Sequence, residues 1–273
     1  MKISVIMGTH NGEATIKTAV QSIQNQTEPD WEFIICDDCS TDNTWSILQS
    51  IAALDSRIKL LQNSQQGGLS LSLNKCLAQA QAPLIARMDD DDVSQPHRFE
   101  AQIQALDKNP EIALTGCNAH LFSEPGHYQG FRKCPERPTA QQIFNGKNFI
   151  HPTILIRRQI LLNVGGYNIA PYALRCEDFD LWCKLYAHGY RGINVQQPLL
   201  DYHESPRNIQ HRNAQQHRNV HQVMKVWRKD LPLTTTGRIY SLIPLIKSWL
   251  PQSILNLRYR KLLVSQKEEE SDD

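Results

Sequence analysis

A chain of 273 residues, 40% of them hydrophobic, can bury a sizeable core as one large domain or as a domain with an appendage. A formal net charge of +1 supplies no global electrostatic reason to bind nucleic acid, so no nucleic-acid partner is expected. No window approaches the roughly 20 apolar residues of a membrane-spanning helix, the opening MKISVIMGTHNG turns polar too early for a secretory leader, and seven cysteines without framework spacing suit a reducing compartment; the expected location is the cytoplasm.

The first half alternates short apolar runs with helix-period segments, the pattern of a mostly parallel central sheet flanked by helices. ISVIM is the first expected strand, and Ile16, Ala19, Val20 and Ile23 mark one face of the helix after it. The intervening GTHNGE has the wrong spacing for GxGxxG, which disfavours a dinucleotide site. WEFIIC is the second strand. CDDC at its end forms a CxxC pair, but it closes a strand instead of opening a helix and no second pair completes a zinc site, so neither redox nor zinc chemistry is expected. Asp38 and Asp42 follow at the strand end, where an acid suits the polar edge of a nucleotide, and Asp42 equally suits a helix cap. IKLL is the third strand, and Leu73, Cys76, Leu77 and Ala80 mark the next helix face.

PLIARM is the fourth strand, and it runs directly into Asp89, Asp90, Asp91 and Asp92. Four adjacent carboxylates repel one another and resist burial, so a counter-charge is expected. A hard divalent cation fits: Asp89 and Asp91, spaced i, i+2, suit Mg2+ or Mn2+ shared with a diphosphate. The competing reading is a solvated acidic loop or helix start. An EF-hand is excluded, because Ser94 would stand where its sharp turn needs glycine.

A helix beginning near Pro96 buries Phe99, Ile103 and Leu106, and IALTGCN is a fifth strand. Residues 122–148 read as loops. HPTILIRR resumes a strand, QILLNVGGY reads as a helix with a glycine stop, and CEDFDLWCKLYAHGY as a helix ending at Gly189. Glu177 and Asp178 open that last helix, where acids suit the macrodipole and where one could also act as a general base. His211, His217 and His221 form no HExxH and read as a solvated helix. From Val223 to Val264 the basic residues are Lys225, Arg228, Lys229, Arg238, Lys247, Arg258, Arg260 and Lys261, against Asp230 alone. Within that stretch Arg238 to Leu263 mixes apolar and basic residues as an interfacial membrane helix does, or as an ordinary packing helix would; Pro244 and Pro251 interrupt its period. The expected organisation is an α/β domain over 1–204, a basic helical extension over 205–263 and an acidic disordered tail over 264–273.

In this order, VIMGTHNGE, IICDDCSTDNT, GGLSLSLNKCLAQAQAPLIARMDDDD, HPTILIRR, GGY and CEDFDLW resemble the landmarks of glycosyltransferase family 2, the inverting family with the nucleotide-diphospho-sugar transferase (GT-A) fold. ARMDDDD is similar to the family's ARMDADD, with Asp90 in place of a small residue. The resemblance implies that Thr9, Asn11 and Glu13 flank a donor nucleotide, that Asp38 binds its base, and that Gly68 and Asn74 pass its diphosphate. Arg87 would line the donor pocket beside Asp90, and Asp89 and Asp91 would hold Mg2+ or Mn2+, with His203 a further metal candidate. Asp178 would be the catalytic base and Glu177 the second candidate. The implied partners are a nucleotide-sugar donor and a glycan or glycolipid acceptor of lipopolysaccharide or capsule synthesis; the composition of the basic segment, outside the resemblance, adds an expected peripheral contact to the inner face of the cytoplasmic membrane. A nucleotidyltransferase and a catalytically silent nucleotide- or glycan-binding subunit are the alternatives. The first is disfavoured because GTHNGEATIK lacks a dense glycine-rich basic loop.

Overall fold

The computed structural model describes residues 1–124, 127–204 and 214–249. Four parallel strands start the sheet: β1 (Ile3–Thr9), β2 (Trp31–Asp37), β3 (Ile58–Gln62) and β4 (Leu84–Arg87). They alternate with α1 (Ile16–Gln24), α2 (Thr44–Ala52) and α3 (Leu69–Gln79), after which come β5 (Val93–Ser94) and α4 (Arg98–Lys108). Every residue of β1 and β2 is buried, as expected for parallel strands covered on both faces. Successive side chains alternate between layers. Ile3, Val5 and Met7 pack with Phe33 and Ile35 against Ile16, Val20, Leu48 and Phe99 of α1, α2 and α4. Ile6, Ile34 and Cys36 face Leu73, Cys76 and Leu77 of α3 on the other side.

Beyond β4 the sheet is mixed. It continues through β6 (Leu114–Glu124), β7 (His127–Arg132), β8 (Leu155–Arg157) and β9 (Gly192–His203) in the order β3-β2-β1-β4-β8-β6-β9-β5, with β7 beside β6. β8 is antiparallel to both β4 and β6, while β9 is parallel to β6. Strand direction here depends on connections between distant elements, which local periodicity does not encode. The expectation of loops over 122–148 fails in part, holding for 133–139 and 145–148. β6 and β7 form a bulged hairpin that pairs His120 with Phe131 and Phe122 with Tyr128, and α5 (Ala140–Phe144) carries a reciprocal capping box between Thr139 and Gln142. That box is legible as T-A-Q-Q in the sequence; the surrounding Gly, Pro and Lys residues masked it.

Next come α6 (Arg158–Asn163) and α7 (Glu177–Ala187), and the C-terminal helices are α8 (Ala214–Trp227), α9 (Thr235–Tyr240) and α10 (Ile243–Lys247). α7 is buried all round from Phe179 to Tyr186; Trp227 Nε1 donates to Asp180 Oδ1 at 2.9 Å and Lys184 Nζ to the Gly166 carbonyl at 2.8 Å. α8 seats Val223 and Met224 in the same core cluster as Trp182. The solvated-helix reading of the histidine segment therefore fails for its described part. His217 and Asn219 are buried, and Asn219 Nδ2 donates to the Leu174 carbonyl at 2.9 Å; His211 and the tail 264–273 lie outside the described residues. Among the described residues, no helix is long and apolar enough to cross a membrane.

Candidate active site

The carboxyl ends of β1, β2 and β4 open on one edge, where open α/β sheets bind ligands. Thr9 and Asp38 meet there through the Asp38 N–H, which donates to the Thr9 carbonyl at 2.8 Å. The Asp38 carboxylate accepts from the amides of Gly67 (2.8 Å) and Gly68 (2.7 Å) and from Asn63 Nδ2 (2.6 Å). Burial pushes its pKa up, but those hydrogen bonds outweigh it and hold the carboxyl below its usual range. Gly68, at φ 85°, turns the chain into α3 in a conformation that disfavours side chains. Asn11 and Glu13 tie the loop after β1 to the loop after β2: Asn11 Oδ1 accepts from the Thr41 amide at 2.8 Å and Glu13 Oε2 from that of Asn43 at 3.0 Å. Asn74 lies on α3, its amide closing a two-way clamp on the Tyr167 backbone at 2.8 and 2.9 Å.

The aspartate run divides its tasks. Asp89 pairs with the wholly buried Arg87; burial disfavours the charged guanidinium, yet Asp89 more than offsets this and leaves its pKa raised. Asp90 turns away and accepts the Thr9 hydroxyl. Gly12 lies against that contact so closely that a Cβ there would stand 2.7 Å from Asp90 Oδ2. Burial and its charged neighbours push Asp90 to about 7. The remaining three converge: one ligand oxygen each from Asp89, Asp91 and Asp92 lies within 4.8 Å of the others. β5 pairs with β9 and so brings His203 to this group. Its Nδ1 sits 3.1 Å from Asp91 Oδ2, and its amide donates to Asp92 Oδ1 at 2.8 Å. Burial, then mutual repulsion, raises the pKa of Asp91 and Asp92, Asp92 most.

These residues fit a divalent cation. The donors are hard oxygens, and the buried Asp92 Oδ2 has no hydrogen-bond partner. Sequence spacing singled out Asp89 and Asp91 and overlooked Asp92, whose signal was only its membership of the run. Arg98 was overlooked too. Fully buried, it donates to the Pro152 carbonyl at 2.9 Å and to the Arg87 carbonyl at 3.2 Å, fixing the backbone from which the aspartates leave. Burial pulls its pKa down to about 10.

A cleft of about 960 Å3 places Arg87 and Asp89 on a common wall with Glu177 and Asp178 at the start of α7. A second cleft, about 710 Å3, runs past Gly68 and shares Glu177 and Arg175 with the first. In the lining of the first cleft, His151 Nε2 lies 3.0 Å from the Tyr167 hydroxyl. Burial and then Arg87 hold the His151 pKa well below its ordinary value. Asp178 Oδ1 accepts the Phe179 amide at 2.7 Å. Burial and the adjacent Asp178 push Glu177 to about 7. In the unfolded chain Glu177 titrates near 4.5. Between those values the folded state holds more protons, so stability must fall as pH rises from about 4.5 through 7. Relative to Glu177→Gln, the unsubstituted chain is expected to lose at most on the order of 3 kcal/mol across that window. Urea titrations of both chains at pH 5 and pH 8 check this; equal differences at the two values would contradict it.

Residues 4–165 match the model of glycosyl transferase family 2. EpsE of Bacillus subtilis (strain 168) is 36% identical over 270 residues, 98% of this chain and 96% of that protein. The Escherichia coli UDP-Glc:alpha-D-GlcNAc-diphosphoundecaprenol beta-1,3-glucosyltransferase WfgD is 39% identical over 184 residues, 67% of this chain and 69% of its own. The fold is that of the mannosyltransferase PcManGT of Pyrobaculum calidifontis, solved with GDP-Man and Mn2+, at a TM-score of 0.66 and 17% identity over 96% of this chain and 80% of that one. With the GT-A architecture in place and the family's motifs matched across more than half its length, the chain belongs to glycosyltransferase family 2 and is a glycosyltransferase.

Proposed function

We propose that the chain transfers a hexose or N-acetylhexosamine from a UDP-sugar to a hydroxyl of a lipid-linked or cell-surface glycan acceptor, with inversion at the anomeric carbon. One observation carries the reading: Asp89, whose ligand oxygen converges with those of Asp91 and Asp92, lines one cleft together with the carboxylates opening α7, so support for a leaving group and a base share that cleft. The WfgD name, a UDP-Glc transferase acting on a diphosphoundecaprenol-linked sugar, supports the donor and acceptor classes.

In this reading Thr9, Asn11, Glu13, Asp38 and Gly68 frame the donor nucleotide, and Arg87 and Asp90 border the sugar-diphosphate. Asp89, Asp91 and Asp92, with His203 beside them, hold Mg2+ or Mn2+, which when bound stabilises negative charge on the diphosphate. Asp178 removes the proton of the acceptor hydroxyl as its oxygen attacks C1 of the sugar. The C1–O bond to the diphosphate breaks, and its electron pair leaves with the nucleoside diphosphate. A single displacement with one base inverts C1, whereas retention through a double displacement needs a second, nucleophilic step. Asn74, clamped to the Tyr167 backbone, is the further donor-side candidate beside the diphosphate. The test is the anomeric configuration of the product by NMR: an α-linked donor sugar is expected to give a β-linkage, and an α-product would overturn the single-displacement reading.

A further inference from the structure

The two short C-terminal helices are inside out. Along α9 and α10 the buried positions are Gly237, Ser241, Pro244 and Ser248, all small or weakly polar. The opposite face carries Ile239 (61% exposed), Leu242 (46%), Ile246 (57%) and Trp249 (76%). Spacings of three and four residues put these four on one stripe, and backbone bonds from Leu242 to Ile239, Ile246 to Leu242 and Trp249 to Ile246 keep the path helical across the junction. A helix pair facing water would put such side chains inward. A tryptophan at the end of an exposed aliphatic stripe suits the boundary between lipid and water.

The charge of these helices and of α8 before them selects the surface. Arg238 is exposed on α9, Lys225 and Lys229 are exposed at the end of α8 and the loop after it, and Asp230 is the one acid between Val223 and Val264. We infer that Ile239, Leu242, Ile246 and Trp249 form the docking face of this chain on an anionic lipid surface. The far side of the same helix pair gives Tyr240, Ile243, Pro244 and Lys247 to the cleft that holds Asp178. A lipid-linked acceptor whose chain stays in the membrane under the stripe therefore needs only to pass its head group around α10 to reach the base. The inference rests on the lipid-linked acceptor reading for its purpose and on α9 and α10 alone for its geometry.

The test uses the full chain and the double variant I246E/W249E, whose substituted side chains already face out and lie outside the cleft lining. Both are sedimented with vesicles containing about one-third phosphatidylglycerol and with pure phosphatidylcholine. UDP-sugar binding in the presence of Mn2+, without vesicles, is measured alongside. The unsubstituted chain is expected to bind the anionic vesicles, less at high salt, and the variant to lose at least ~10-fold in partitioning while its donor binding is unchanged. Failure of the unsubstituted chain to sediment, or equal partitioning of the two chains, overturns the inference whatever the donor result. Self-association of the unsubstituted chain that the variant abolishes, without vesicle binding, would assign the face to a second copy instead. Vesicle binding with no donor binding would count against the donor reading alone.

Discussion

Asp178→Asn is expected to lower kcat by about 10²–10⁴-fold, the usual contribution of a positioned general base, while donor KM stays within about twofold. Asparagine keeps the carbonyl oxygen that accepts the Phe179 amide, so the start of α7 should hold its shape and the melting temperature should not move. What is lost is only the capacity to take a proton. Single-turnover rates with the donor pre-bound separate that loss from binding. Glu177→Gln serves as the comparison. Glu177 lines both clefts and is pushed to about 7, a value suited to a base near neutral pH. If Glu177→Gln abolished turnover and Asp178→Asn did not, the base would be Glu177.

The second large effect is expected at the aspartate cluster, with opposite signs for function and stability. Asp92→Asn keeps the oxygen that accepts the His203 amide at 2.8 Å but removes a charge that burial and Asp89 disfavour. In chelator the variant should therefore be more stable than the unsubstituted chain, by on the order of 1–3 kcal/mol, because a buried repulsion has been relieved. Asp89→Ala should behave differently. It leaves Arg87 buried without its partner and is expected to destabilise by about 3 kcal/mol. Both substitutions should abolish the rise in melting temperature on adding Mn2+, and with it metal-dependent turnover, by at least ~10²-fold. Thermal unfolding with and without Mn2+ separates the effects. A normal Mn2+ response in both variants would remove the cation from this site.

The layered half of the molecule was readable because its strands are buried on both faces and its helices on one. Ile16, Ala19, Val20 and Ile23 on α1, and Leu73, Cys76, Leu77 and Ala80 after β3, lie in the core as their spacing demands. The pairing of β6 and β7 was not readable, because its register is interrupted by bulges that break regular alternation. The aspartate run announced itself by charge alone, yet the distribution of roles within it depends on contacts distant in sequence. Asp90 answers to Thr9, 81 residues away, and Asp91 and Asp92 answer to His203, over 100 residues away. Arg98 carries no motif; only its burial against two carbonyls reveals that it positions the loop. The inverted stripe of α9 and α10 was visible as mixed apolar and basic composition, but which face is free became legible only once Gly237, Ser241, Pro244 and Ser248 were seen inside.

The central claim is metal-dependent transfer from a nucleotide sugar, and nucleotide release across a donor panel tests it most directly. Purified chain is incubated with Mn2+ or Mg2+ and, in turn, UDP-, GDP-, CMP- and dTDP-sugars, with a lipid-linked glycan acceptor and with chelator controls. The account predicts acceptor-dependent release of UDP from one or a few UDP-sugars, lost in chelator and in Asp89→Ala. Release that persists in chelator, or absence of both turnover and metal-dependent binding for every donor, would contradict it.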